Sequence, residues 1–368
     1  MTAHMPHTGR PLPAALALGF AGTGATCLLA RELLLAFCGN EAALAAALAV
    51  LPLALAAGSR LPGRRWPQRD PADLLGPALG ILALLLPLSL LLPRLARPGT
   101  IAEGAAHLTP LAVVVAGLAA FVPLGLCLGC ALALAGTVGE RQADRSAARL
   151  PAFFAAAGVL GAFFIQFVAI PKLTPLNASL DMGLACFVAG ILCAAGSPGG
   201  RGPETWMSVL ALGFVLLLPV SGLIEARIAA WQWQCPLEAV PAVPAAAGSV
   251  LGGALRALAT ALACIAAAVA GILLLHDRNA LPGKPHAPGR QLAAGMAEAG
   301  GLLGVLFAYQ TVTGNLFAYL PLLVAAWMVG EALALYPAQD ASPSLTPDVR
   351  TLYGAALAIA CLAALLAF

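Results

Sequence analysis

Charge is what this sequence is short of: Asp, Glu, Lys and Arg make up 10% of its 368 residues, where ordinary soluble domains carry about 25%. So few charges cannot hydrate the surface of a water-soluble globule. A formal net charge of +3 gives little drive for neutralising a run of phosphates, so no nucleic-acid partner is expected. Aromatics are scarce at 6%, so close packing has to come from small residues rather than bulky rings. The five histidines, His4, His7, His107, His276 and His286, fall in tails or loops with no carboxylate at metal-ligand spacing. No glycine-rich nucleotide loop follows a strand, since Gly199-Gly200-Arg201-Gly202 lies between two apolar runs. No nucleophile stands beside a recognisable base. The expectation is a protein that is not an enzyme and carries neither metal nor cofactor.

The nine cysteines are scattered, mostly inside apolar runs. Cys127-x-x-Cys130 is followed by Ala131 rather than histidine and has no second pair, which excludes haem attachment and leaves buried packing as its reading.

What is present is apolar surface, 61% of residues against roughly 45–50% in soluble domains. Runs near membrane-spanning length fall at about 13–38, 41–58, 74–93, 108–137, 151–170, 178–196, 206–223, 249–275, 293–313, 315–336 and 351–368. The fold class expected is therefore an all-α polytopic membrane protein of about 11 transmembrane helices. The N-terminus, MTAHMPHTGRPLP, carries one arginine and no evident cleavage site, so the first run reads as a retained span. Three segments are expected: an N-terminal bundle of about seven helices over 1–223, an external loop over 224–248, and a C-terminal bundle of about four helices over 249–368. Gly125-Leu-Cys-Leu-Gly129, Gly248 to Gly252 and Gly300 to Gly304 are candidate helix-contact motifs.

Basic residues orient these spans. Arg10, Arg60, Arg64, Arg65, Arg69, Arg141, Arg145, Arg149, Arg201, Arg278, Lys284, Arg290 and Arg350 fall in alternate loops on the side of the N-terminus. Arg94, Arg97, Lys172 and Arg227 fall on the other. The positive-inside rule then puts the N-terminus in the cytoplasm and the C-terminus outside, in a cell inner (plasma) membrane.

Two charges interrupt the first run: Arg31 and Glu32, whose neighbours four residues away are Cys27, Leu35, Leu28 and Ala36. Adjacent helical residues point about 100° apart, so this pair cannot satisfy itself. Either it marks a functional site, as ionisable groups within a span do by default, or Arg31 snorkels to the interface and Glu32 makes an interhelical hydrogen bond. Arg31 lies about eight residues, roughly 12 Å, below the external Gly39-Asn40 turn. Asn40 and Glu41 open the next helix there. Gln166, Glu225, Arg256, Gln310, Thr311, Thr313 and Asn315 are placed toward the same leaflet, whereas Glu298 is nearer the cytoplasm. An outward-open polar cavity explains this convergence, and so does the ordinary tolerance of polar residues at helix ends. Asn177-Ala-Ser179 fits both a glycosylation acceptor and a helix cap.

Gly39-Asn40 also echoes Gly314-Asn315, aligning Ala43 with Ala318, Leu48 with Leu323 and Ala57 with Ala332. A parallel internal repeat of this kind is a common transporter design.

Ala30-Arg31-Glu32-Leu33-Leu34, Phe37, Gly39-Asn40-Glu41 and Ala56-Ala57-Gly58-Ser59 resemble the opening two helices of the membrane-bound spermidine synthase-like family, in which a major facilitator domain is fused to a spermidine synthase. Glu298, Phe307-Ala308-Tyr309-Gln310, Gly314-Asn315, Tyr319 and Trp327-Met328-Val329-Gly330 resemble a later helix pair of that family. Gly58-Ser59-Arg60-Leu61-Pro62-Gly63-Arg64-Arg65 is similar to the loop after the second helix of major facilitator transporters, without its usual aspartate. The resemblance implies a major-facilitator-like bundle. It does not carry the synthase with it: Ile224 to Gln234 resembles the lead-in to that domain, but the chain re-enters an apolar run about fifteen residues later. Phe153-Phe154-Ala155-Ala156-Ala157-Gly158 stands where the family has an acidic residue.

Two functions are therefore carried forward. One is a transporter-like protein handling a small polar or charged solute through an outward-facing polar site drawn from Arg31, Glu32, Asn40, Glu41, Arg256, Glu298, Gln310 and Asn315, without aminopropyltransferase activity. The other is a non-transporting scaffold for a membrane or periplasmic partner protein. The lipid bilayer is a partner in both.

Overall fold

A computed structural model describes residues 11–36, 41–102, 110–141, 150–195, 201–233 and 316–335. Apart from short turns and connections these residues are helical, with no strand among them: α1 (Pro11–Ala36), α2 (Glu41–Ser59), the short α3 (Leu61–Arg65), α4 (Pro71–Ala102), α5 (Pro110–Arg141), α6 (Leu150–Phe163), α7 (Pro175–Ala194), α8 (Arg201–Trp233) and α9 (Leu316–Leu335). A π-helical segment, Phe164–Ala169, and a last turn, Ile170–Lys172, prolong α6. Among the described residues, six stretches are long and apolar enough to cross a membrane, Pro11–Leu35, Pro71–Arg94, Gly117–Glu140, Leu150–Lys172, Pro175–Ala194 and Thr205–Ile228. The chain is thus a membrane-embedded helical bundle. The expected spans at 249–275, 293–313 and 351–368, and both glycine-asparagine turns of the repeat, lie outside the described residues.

Helix directions follow from the residues that meet. Gly19 faces Phe154 and Ala157 while Gly24 faces Gly161 and Ile165, so α1 and α6 run parallel. Leu51 meets Gly125 and Leu55 meets Gly129, which makes α2 and α5 parallel as well. Gly76 against Gly190 and Ala83 against Gly183 set α4 and α7 antiparallel. These three pairs make the most extensive contacts in the bundle.

Glycine is required at the parallel pairs because backbone touches backbone. A Cβ at Gly19 would lie 2.1 Å from the Phe154 carbonyl oxygen and one at Gly161 2.2 Å from that of Phe20. At the other pair, Gly58 and Gly129 would each place a Cβ 2.1 Å from a carbonyl oxygen, of Leu126 and Leu55. Lipid offers no hydrophobic drive between apolar helices, so this close approach supplies dispersion contact instead. Gly125-Leu-Cys-Leu-Gly129 is therefore a packing face, as its spacing suggests; the motifs at Gly248 and Gly300 lie outside the described residues. Cys127, on the same helix, turns to α4 instead, its Sγ 3.5 Å from the Ala78 carbonyl oxygen, and Cys127 and Cys130 are both free thiols.

Two helices outrun the apolar segments read from sequence. Residue 94 was expected to start a loop, but α4 continues to Ala102; residues 224–233, expected as loop, complete α8. Hydropathy falls at Arg94 and Glu225, and the helices persist there because the two charges satisfy each other.

Candidate functional site

The N-terminus of α7 shows how a helix end is completed inside this bundle. Pro175, at the first helical position, has no N–H to satisfy. The Leu176 N–H donates to Glu225 Oε1 at 2.8 Å. The Asn177 N–H donates to Thr174 Oγ1 at 3.3 Å, and the Ala178 N–H to the Thr174 carbonyl at 3.0 Å. Every first-turn donor is accounted for, as water-poor surroundings demand. The cap is Thr174 and not Asn177, whose side chain instead hydrogen-bonds the fully buried hydroxyl of Ser221 on α8. An Asn three residues into a helix is past the capping position, and this one ties α7 to α8.

Glu225 is thereby fixed at a helix N-terminus, where the dipole favours a carboxylate. The same Oε1 accepts from Arg94 Nη1 at 3.0 Å. The other edge of the guanidinium reaches α1: Nε donates to Glu32 Oε2 at 2.8 Å, and Nη2 lies 2.7 Å from that oxygen. Arg94 thus bridges two acids that are 3% (Glu32) and 8% (Glu225) exposed, fastening the ends of α1, α4 and α8. Nε and Nη2 meet the same oxygen of Glu32. Glu32 Oε1 is buried and has no hydrogen-bond partner among the described residues.

Arg31 is half-buried and makes no ion pair with the described residues. The adjacent pair is therefore divided: Glu32 enters an interhelical salt bridge, the second of the two roles open to it, and Arg31 does not join it.

Gln166 lies in the π-helical segment. Pro171 lacks the N–H that an α-turn would aim at the Phe167 carbonyl, and its ring crowds that carbonyl. The widened turn accommodates this, with the Ile170 N–H pairing five residues back to the Ile165 carbonyl. Gln166 Oε1 is buried without a partner, as is Ser89 Oγ on α4. π-Segments recur at functional sites.

Of the residues expected to line a site, the structure describes the side chains of Arg31 and Glu32. Glu41 begins α2, but its side chain, like Asn40, Arg256, Glu298, Gln310 and Asn315, lies outside the described residues. Sequence reading missed Arg94, counted only as a loop charge. The signal was available: a buried acid needs a cation at its own depth, and Arg94 closes an apolar run on the side where only four cations fall.

A scan against protein-family models finds no match for this chain, and searches of curated proteins and of solved structures find none either. The chemistry has to be read from the cluster itself, two buried carboxylates sharing one guanidinium at one end of the bundle.

Proposed function

We propose that this chain is a carrier-type membrane protein that moves a small polar or charged solute, with its polar site at the bundle end where Glu32, Arg94 and Glu225 meet. The observation that carries the reading is the unpartnered Glu32 Oε1 in a buried ionic cluster joining three helices. Stable scaffolds saturate such groups, whereas ionisable residues in spans characteristically serve ion and solute pathways. Helix pairing supports a major-facilitator-like bundle: exchanging α1, α2 and α4 with α5, α6 and α7 in that order maps the parallel α1/α6 pair onto α5/α2 and α4/α7 onto itself, the relation expected of 3+3 inverted repeats. The resemblance to the membrane part of the spermidine synthase-like family agrees with this, with no synthase activity. The basic loops support an inner-membrane orientation with the cluster facing outward.

The test is reconstitution into proteoliposomes and electrophysiology on a solid-supported membrane, with panels of amino acids, organic acids, sugars and amines. Flux of at least one class, lost in Glu32→Ala at unchanged protein abundance, is the expected result. A second reading, a scaffold locked by the Glu32–Arg94–Glu225 bridge, is favoured by the near-complete burial of that bridge. It predicts no flux, loss of protein in the same variant, and a stoichiometric partner on crosslinking of native membranes.

A further inference from the structure

The cluster contains two carboxylates and one guanidinium, a formal charge of −1 when both acids are ionised. Among the described residues Arg94 is the one cation that either acid contacts. An uncompensated charge at this depth is costly, and the usual resolution is to neutralise it. The two acids are not equivalent. Glu225 accepts from both Arg94 and the Leu176 N–H at the start of α7. Glu32 receives all its donors on Oε2, which leaves Oε1 buried and bare. A proton requires one oxygen; an alkali ion would need several.

We propose that Glu32 Oε1 is a proton-binding site, and that its occupancy sets the strength of the latch between α1, α4 and α8. Taking up one proton from water converts the Glu32 carboxylate to the acid and brings the cluster from −1 to neutral. Arg94 keeps its hydrogen bonds to Oε2 but loses the charge attraction to α1, while its bond to Glu225 persists. The ends of α1 and α8 are then held together less firmly. In its coupling role this rests on the carrier reading; the binding of the proton does not.

The groups around Glu32 are few. Arg31 neighbours it on α1, and Arg94 on α4 is the partner described. On α8, Glu225 shares that partner and Arg227 is exposed; Lys172, beyond the π-segment, is also exposed, and Asp181 on α7 is half-buried. The described side chains of α2 and α9 include none that titrates, and α5 contributes Cys127, Cys130 and, in its last turn, Glu140.

The test is a pH-difference infrared spectrum of the purified full chain. The expected result is a protonated-carboxyl C=O band that shifts in deuterated water, disappears in Glu32→Gln, changes frequency in Glu32→Asp and weakens in Glu225→Gln, which already brings the cluster to neutrality. If Glu32→Gln does not fold, Glu32→Asp must move the band's frequency. Absence of any such band, its persistence in Glu32→Gln, or an unmoved band in Glu32→Asp overturns the proposal. So does a thermal midpoint that rises with sodium or potassium over N-methylglucamine chloride only when Glu32 is present, because the ligand is then a metal cation. Solute flux without the band removes the proton site and leaves the carrier; the band without flux does the reverse.

Discussion

At the scale of single residues, the bridging arginine and the two acids should respond very differently to substitution. Arg94→Ala leaves two buried carboxylates facing each other with no countercharge, a change that costs about 3–5 kcal/mol when a buried pair is broken from one side. Glu225→Gln keeps an amide oxygen for Arg94 and for the Leu176 N–H, and brings the cluster to neutrality, so its cost should stay within about 1.5 kcal/mol. Thermal midpoints in detergent, read by fluorescence-detected size exclusion, should therefore rank Arg94→Ala far below Glu225→Gln and the native chain. Equal midpoints would mean that the bridge is wet and weak. Arg94→Lys should recover only part of the loss, because an ammonium cannot span both acids with the planar fork used here.

At the scale of helix pairs, the glycines divide into those that touch a backbone and those that touch nothing. Gly129 belongs to the first kind, with its would-be Cβ 2.1 Å from the Leu55 carbonyl oxygen, and Gly136, two turns further along α5, has nothing within 4 Å. Gly129→Ala should force α2 and α5 apart and lower stability by about 1–3 kcal/mol, the usual range for overpacking. Gly136→Ala should be neutral or stabilising by up to about 1 kcal/mol through helix propensity. Expression level and thermal midpoint of the two variants, made side by side in one helix, check the claim; similar behaviour would show that the close approach is absent. The contact motif around Gly125 was legible because small residues four apart make a groove whatever lies opposite. Which helix fills that groove was not, since nothing in residues 41–59 marks them as the partner.

At the scale of the molecule, membrane residence and the all-helical class were legible from composition, because they depend on sums over many residues. The run at 178–196 coincides closely with α7, where Pro175 and the cap at Thr174 give a local start signal. The ends of α4 and α8 were not legible: Arg94 and Glu225 are 131 positions apart, and each looks like a loop charge until the other is beside it. Orientation is the remaining whole-molecule property, and here charge and geometry make one prediction. Arg60, Arg64, Arg65 and Arg69 crowd the exposed connection between α2 and α4, with Trp66 among them as an interfacial ring, whereas the Glu32–Arg94–Glu225 cluster and Lys172 belong to the opposite end. Positive charge is retained on the cytoplasmic side, so the arginine-rich end should face the cytoplasm. Fusions truncated after Gln68 should fluoresce with a green fluorescent reporter and lack alkaline phosphatase activity, and fusions truncated after Lys172 should do the opposite. The inverse pattern would place the cluster on the cytoplasmic side, and its proton would then come from the cytoplasm rather than from outside the cell.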